Sequence, residues 1–173
     1  MQLRRTLLVL ALAAPMLSAT TFERVSTAEL ARRSPRICAV QCVGCKPERD
    51  PESGLVFTRV RLKLLEDIKG RSPQRYFELR LIGGELDGKR TVVAGMPVFR
   101  TGGESVLLLG KPNRAGFATL VAARRGKLEL TRDKKGKRYL KRRIDGFPEL
   151  TGKRRVALDE LRTSIRKQKV RAK

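Results

Sequence analysis

Apolar and polar residues alternate most regularly between Leu55 and Leu65. Val56, Thr58, Val60, Leu62 and Leu64 would share one face of an extended chain, and Phe57, Arg59, Arg61 and Lys63 the other. Successive strand side chains point to opposite faces, so this pattern predicts a half-buried strand with a basic outer surface. Tyr76 to Ile82 repeats it, with Phe77, Leu79 and Leu81 inward and Glu78 and Arg80 outward. Ile37 to Val43 is apolar and rich in β-branched residues, and Val106 to Leu109 is wholly apolar, as a central strand would be. Arg90–Ala94, Phe117–Ala122, Lys127–Thr131 and Arg138–Leu140 read as further short strands. Asp133-Lys134-Lys135-Gly136 reads as a hairpin tip, and Lys69–Pro73, Gly83-Gly84, Asp87-Gly88, Gly95–Pro97 and Gly102-Gly103 as turns. Many short strands at near-regular spacing suggest a barrel or sandwich.

Two segments carry the helical period instead. Ser26-Thr27-Ala28-Glu29 is a capping box, with a hydroxyl at the cap and a carboxylate three residues on. Ser34-Pro35 ends that helix, because the residue before a proline disfavours the helical region. From Thr151 the tail returns to helix, with a narrow apolar stripe of Leu158, Leu161 and Ile165 and an end that frays after Arg166. The stripe favours docking on the body of the protein over lying on a membrane. There is no internal repeat.

The chain begins with Arg4 and Arg5, an uncharged run from Thr6 to Leu17, and Ser18-Ala19. This is the layout of a secretory signal peptide cleaved after Ala19. Pro15 and the short apolar run argue against an uncleaved anchor, and Thr20 stands where a lipoprotein would need cysteine. The expected organisation is a signal peptide over 1–19, a β-barrel domain over 20–150 and a basic C-terminal helix over 151–173. The expected location is the periplasm or the exterior.

Charge then narrows the partner. The chain holds 40 Lys and Arg against 17 Asp and Glu, a net +23. Removing Arg4 and Arg5 leaves 38 against 17, or +21. From Arg124 to Lys173 the count is 20 against 6, or +14, so most of the excess sits in the last third. Such a field attracts polyanions. The candidate contact residues are Arg59, Arg61, Lys63, Arg124, Arg125, Lys127, Lys134, Lys135, Lys137, Arg138 and Lys141. The expected partner is an anionic envelope polymer, a lipid surface or a secreted protein. Nucleic acid is less favoured, because the few aromatics sit in apolar strand patterns and leave no stacking platform.

Histidine is absent, which excludes a Ser-His-Asp triad, a Cys-His pair and any zinc site that needs imidazole. No catalytic motif stands out, so the chain reads as a non-enzyme without a cofactor or metal. The remaining chemistry is Cys38, Cys42 and Cys45. In an extended strand Cys38 and Cys42 lie roughly 13 Å apart, too far for a disulfide, whose α-carbons stay within about 7 Å. Cys42 and Cys45 could close if Gly44 made a tight turn, with Lys46-Pro47 in a loop. A local disulfide, unpaired thiols and a thiol-redox role all remain open.

The order of elements resembles a set of uncharacterised secreted bacterial proteins, and more distantly the OB-fold barrel of netrin-like modules and tissue inhibitors of metalloproteinases. The residues carrying the resemblance are Leu64-Leu65-Glu66-Asp67-Ile68-Lys69-Gly70, Gly83-Gly84, Gly95-Met96-Pro97-Val98-Phe99 and Gly102-Gly103-Glu104-Ser105-Val106-Leu107-Leu108-Leu109. They span roughly Ser34 to Leu140. The resemblance implies a small OB-like antiparallel barrel, closed or partly open, with short helices at both ends. It does not bring protease inhibition with it. Those inhibitors place a cysteine at the mature N-terminus, where this chain has Thr20. The leading expectation is an exported binding or interaction module with a basic face. A thiol–disulfide protein, and an inhibitor or accessory subunit of a secreted enzyme, are the alternatives.

Overall fold

The computed structural model describes residues 25–171; the leader assigned to residues 1–19 lies outside them. In chain order the elements are α1 (Thr27–Arg33), β1 (Arg36–Arg49), β2 (Val56–Lys69), β3 (Tyr76–Ile82), β4 (Gly84–Leu86), β5 (Lys89–Thr91), β6 (Glu104–Leu109), β7 (Lys127–Arg132), β8 (Arg138–Leu140) and α2 (Leu158–Arg171). The protein is mostly β. Six strands form an antiparallel sheet in the order β3-β2-β1-β6-β7-β8, and β4–β5 is a separate hairpin.

The sequence explains why β1 and β6 occupy the middle. Ile37–Val40 and Val106–Leu109 carry no polar side chain, and none of the eight residues is more than 1% exposed. Strands covered on both faces need no polar side. One face carries Cys38, Val40, Cys42, Val60, Leu62, Leu79, Leu107 and Leu109. The other carries Ile37, Ala39, Val106, Leu108, Leu128, Leu130 and Leu140, covered by α1, α2, Phe147, Leu150 and Val156. The protein thus has two apolar layers separated by one sheet.

The β1–β2 pairing is irregular in a way that serves both layers. Its register shifts at Ile37/Cys38, Ala39/Val40 and Cys42/Gly44. The first two leave Ile68 and Leu65 as extra residues on β2. Each bulge resets the alternation and bends the strand. Leu64 therefore packs with the first layer, while Leu65 and Ile68 join the second.

Helix α1 has only seven residues, too short to persist alone. Its first amides are satisfied partly from far along the chain. Ser26 Oγ accepts the Glu29 amide at 3.2 Å, as the capping box predicts. Glu29 itself does not reach back to the cap; its carboxylate holds Arg32 and Arg33, both at 2.7 Å. The Thr27 amide and hydroxyl both donate to Asp145 Oδ1 at 2.6 Å, and the Ala28 amide donates to the Asp145 carbonyl at 3.2 Å. Gly146 lets this segment approach: its φ is +78°, and a Cβ there would lie 2.5 Å from Ser26 Oγ.

Several expected elements differ. The helix expected from Thr151 starts at Leu158. The chain before it runs beside β8 instead, with the Leu140 amide donating to the Val156 carbonyl at 2.9 Å and a bridge between Tyr139 and Ala157. Lys153, Arg154 and Arg155 supply no apolar step until Val156, which explains the late start. The helix then continues to Arg171, past the expected fray at Arg166. Leu158, Leu161 and Ile165 are at most 5% exposed, so the stripe is docked in the second layer. Arg162 ties the helix to Glu66 of β2 at 2.7 Å. Phe117–Ala122 makes only single bridges, Ala118 to Leu79 and Leu120 to Leu109, and left-handed Ala122 and Ala123 end its run. The Arg90–Ala94 strand shrinks to β5, which stops at Thr91. Among the described residues no helix is long and apolar enough to cross a membrane.

Candidate polyanion interface and cysteine pair

The structure divides the predicted basic residues into two groups. On the outer face of β2, Arg59 pairs with Glu48 at 3.0 Å and with Glu78 at 3.6 Å. Arg80 stands opposite Arg59 in the register and holds Glu48 at 3.2 Å and Asp50 at 2.5 Å, with its guanidinium 4.1 Å from the Phe57 ring centre. The Arg80 hydrogen bond, helped by Ser53, holds the Asp50 carboxyl far below the usual carboxylate range. Arg61 lies over Tyr76 at 5.4 Å, and Lys63 faces Tyr76 across the register. The alternation that marked this face as basic could not show that Glu48 of β1, Asp50 just after it and Glu78 of β3 gather around it.

The same holds for part of the C-terminal set. Arg138 and Arg132 both grip Glu104, at 2.8 and 2.5 Å. Burial opposes the Glu104 charge most strongly, but the two arginines together outweigh it and keep the carboxyl below its ordinary value. Lys127 is 9% exposed and donates to Glu129 at 2.9 Å, beside the Phe99 ring. Lys141 reaches Glu129 at 3.5 Å. The Arg125 guanidinium donates to the Val25 carbonyl.

In the C-terminal set most of the cations without a carboxylate partner gather at the β7–β8 tip; on β2, Arg61 and Lys63 likewise make no ion pair among the described residues. Asp133, the acidic residue of the β7–β8 turn, accepts the Lys135 and Lys137 amides at 2.9 Å, which shapes the turn and leaves one negative charge beside the three lysines. Lys134 and Lys135 are exposed, and their side chains make no hydrogen bond, ion pair or ring contact among the described residues. Lys137 lies over Tyr139 at 5.9 Å, and Arg155 over the same ring at 4.4 Å. The Tyr139–Ala157 bridge is what brings Arg154 and Arg155 to the hairpin. Sequence reasoning missed these two residues because it placed them inside a helix. Nearby Glu160 is occupied by Lys153 and by the Ala157 amide, which hold it below its usual value. Arg124 is exposed at the other end of β7.

A second unforeseen feature is a cavity of about 510 Å³ lined by Arg36, Arg61, Tyr76, Phe77 and Phe117. The Arg36 guanidinium lies over Phe77 at 4.8 Å, and its Nε is buried with no hydrogen-bond partner among the described residues.

Cys42 and Cys45 are brought together, but not by a turn. β1 runs unbroken through Lys46-Pro47 to Arg49, so the loop expected there is a strand. Pro47 fits because β6 pairs with β1 only as far as Gln41, leaving one side of the strand free of ladder bonds. Val43 is the extra residue of a bulge between Cys42↔Leu62 and Gly44↔Arg61. In regular alternation residues three apart point to opposite faces; one bulged residue puts Cys42 and Cys45 on the same side. Their sulfurs lie 3.5 Å apart. Cys45 is exposed as a residue, yet the partial burial of its thiol first, and then its hydrogen bond with Cys42, push it up to about 12. Cys38 is fully buried in the inner layer, and burial pushes it up to about 12 as well. Among the described residues no cluster of three His, Cys, Asp or Glu could hold a metal.

No protein family, curated protein or solved structure matches this chain.

Proposed function

We propose that the protein is an exported, non-enzymatic module that binds an anionic envelope polymer at its β7–β8 end. The observation carrying this reading is the concentration of exposed cations there: Lys134, Lys135 and Lys137 on the hairpin, with Lys137 and Arg155 over Tyr139 and Arg154 beside Arg155 in the chain, outnumber Asp133, while Glu160 is paired with Lys153. The finer fold reading is part of the proposal: an OB-like barrel around the Cys38–Leu109 layer, with residues 118–120 closing β3 towards β6. The bridges Leu79–Ala118 and Leu109–Leu120 support that closure. The test is retention on a heparin matrix across a salt series. Binding by phosphate- or sulfate-type charge falls steeply with salt. Replacing Lys134, Lys135, Arg154 and Arg155 by Gln should move elution to markedly lower salt, while Arg59→Gln should barely shift it. No retention at low salt would end this reading.

A second reading is favoured by the 3.5 Å approach of Cys42 and Cys45. In an oxidising compartment the two thiols would lose two protons and two electrons to an exchanging disulfide and form a bond, leaving Cys38 as the one thiol. A thiol titration of the unfolded, unreduced protein that returns three thiols would exclude it.

A further inference from the structure

Residues 92–98 form a run of seven with no charged or polar side chain, Val92-Val93-Ala94-Gly95-Met96-Pro97-Val98, in a chain that is one-third charged. The run belongs to no strand or helix. Val92 is 74% exposed and Val98 67%, the two most exposed large apolar side chains among the described residues. Neither is a loose end. The loop is pinned from behind, with the Met96 amide donating to the Val93 carbonyl at 3.2 Å, the Arg124 amide to the Gly95 carbonyl at 2.9 Å, and Lys127 Nζ to the Val98 carbonyl. Pro97 is buried. The structure therefore holds an apolar ridge out into solvent on a fixed base.

Cations rim the ridge. A cavity of about 520 Å³ runs along residues 92–98 and is lined on its far wall by Arg124, Lys141 and Arg142. Arg90 and Arg100 are exposed on the other flank, and both line cavities that reach Val98. The carboxylates near the ridge are Glu129, Glu85 and Glu104, the last lining the Val98–Arg100 cavity but held by Arg132 and Arg138. Glu129 is held by Lys127 and Lys141, and Glu85 lies opposite Arg90 in the β4–β5 register.

We propose that this ridge docks on an anionic lipid surface: Val92 and Val98 enter the headgroup boundary while Arg90, Arg100, Arg124 and Arg142 meet the phosphates. Exposed apolar side chains ringed by Lys and Arg match the two halves of that boundary, since burial of apolar area and attraction to anionic lipids add. A soluble polyanion would satisfy the cations and leave the valines in water. The α2 stripe offers no such contact, because its leucines are already in the core. This inference goes beyond the polymer reading and uses different residues.

The test is co-sedimentation with vesicles of phosphatidylglycerol in phosphatidylcholine, beside heparin retention. Each variant is compared with wild type in the same chain form, so that the first nineteen residues cancel. Val92→Ser with Val98→Ser should weaken vesicle binding at least about tenfold and leave heparin elution unchanged. Both positions are exposed, so the fold should survive; a matching circular dichroism melt checks it. Arg124→Gln and Arg142→Gln should each weaken vesicle binding roughly fivefold. Vesicle binding indifferent to the serine pair would overturn the proposal, as would binding equal on purely phosphatidylcholine vesicles. A concentration-dependent dimer abolished by the serine pair would also overturn it, naming a second copy as the occupant. Heparin retention without vesicle binding would sink this inference alone; loss of both would sink the polymer reading too.

Discussion

Asp145→Ala tests whether α1 is built by a residue 118 positions away. The Asp145 carboxylate accepts both the amide and the hydroxyl of Thr27, and Thr27 is only 9% exposed. The alanine variant leaves both donors without their partner. A hydrogen bond to a charged group is worth roughly 1.5–3 kcal/mol, but Asp145 is itself exposed and water can replace part of it. Loss of a helix cap costs about 0.5–2 kcal/mol. The expected destabilisation is therefore about 2 kcal/mol, or a fall in Tm of roughly 4–8 °C for a protein of this length. Asp145→Asn keeps an acceptor and should lose about half as much. The pH dependence supplies a sign. The Thr27 hydroxyl first, and its amide next, hold the Asp145 carboxyl below its ordinary value against the effect of burial. A depressed folded-state value means the stabilisation is complete above the unfolded value of about 3.9 and is lost as pH falls through the folded one. The gap between wild type and Asp145→Ala should thus be widest near neutrality and close in acid. Thermal melts monitored by circular dichroism from neutral to acid pH read both quantities. A Tm change under about 1 °C at neutral pH, or a gap that widens in acid, would refute the argument.

Two further outcomes follow from the core and the thiols. Leu161→Ala removes a side chain that is 1% exposed in the second layer and should cost about 2–5 kcal/mol in denaturant unfolding, because the cavity adds to the lost burial; a midpoint close to wild type would mean α2 is not docked there. In the reduced protein, Cys42→Ala removes a hydrogen bond that raises the Cys45 thiol, so alkylation of Cys45 at pH about 8 should speed up, while Cys38 stays unreactive until the chain unfolds. An unchanged Cys45 rate would show that burial alone governs it.

Features that depend on neighbours along the chain were legible before any fold was known. Alternation in Leu55–Leu65 and Tyr76–Ile82, the apolar runs at Ile37 and Val106, the Asp133–Gly136 tip and the Ser26 cap all describe local preference, and each became the element it predicted. The Leu158, Leu161 and Ile165 stripe even gave the docked face of α2. Which cations remain unneutralised was settled by folding, because a carboxylate cancels a charge across space: Glu48 and Glu78 reach the β2 face through strand pairing, Asp50 holds Arg80 from the end of β1, and Glu104 reaches Arg132 and Arg138 through the β6–β7–β8 arrangement. Folding also decided that Arg154 and Arg155 join the hairpin, that one bulged valine aligns Cys42 with Cys45, and that Val92 and Val98 stand in water. An apolar run carries no mark of whether it will be buried. That depends on whether another surface has already filled the core it could have entered.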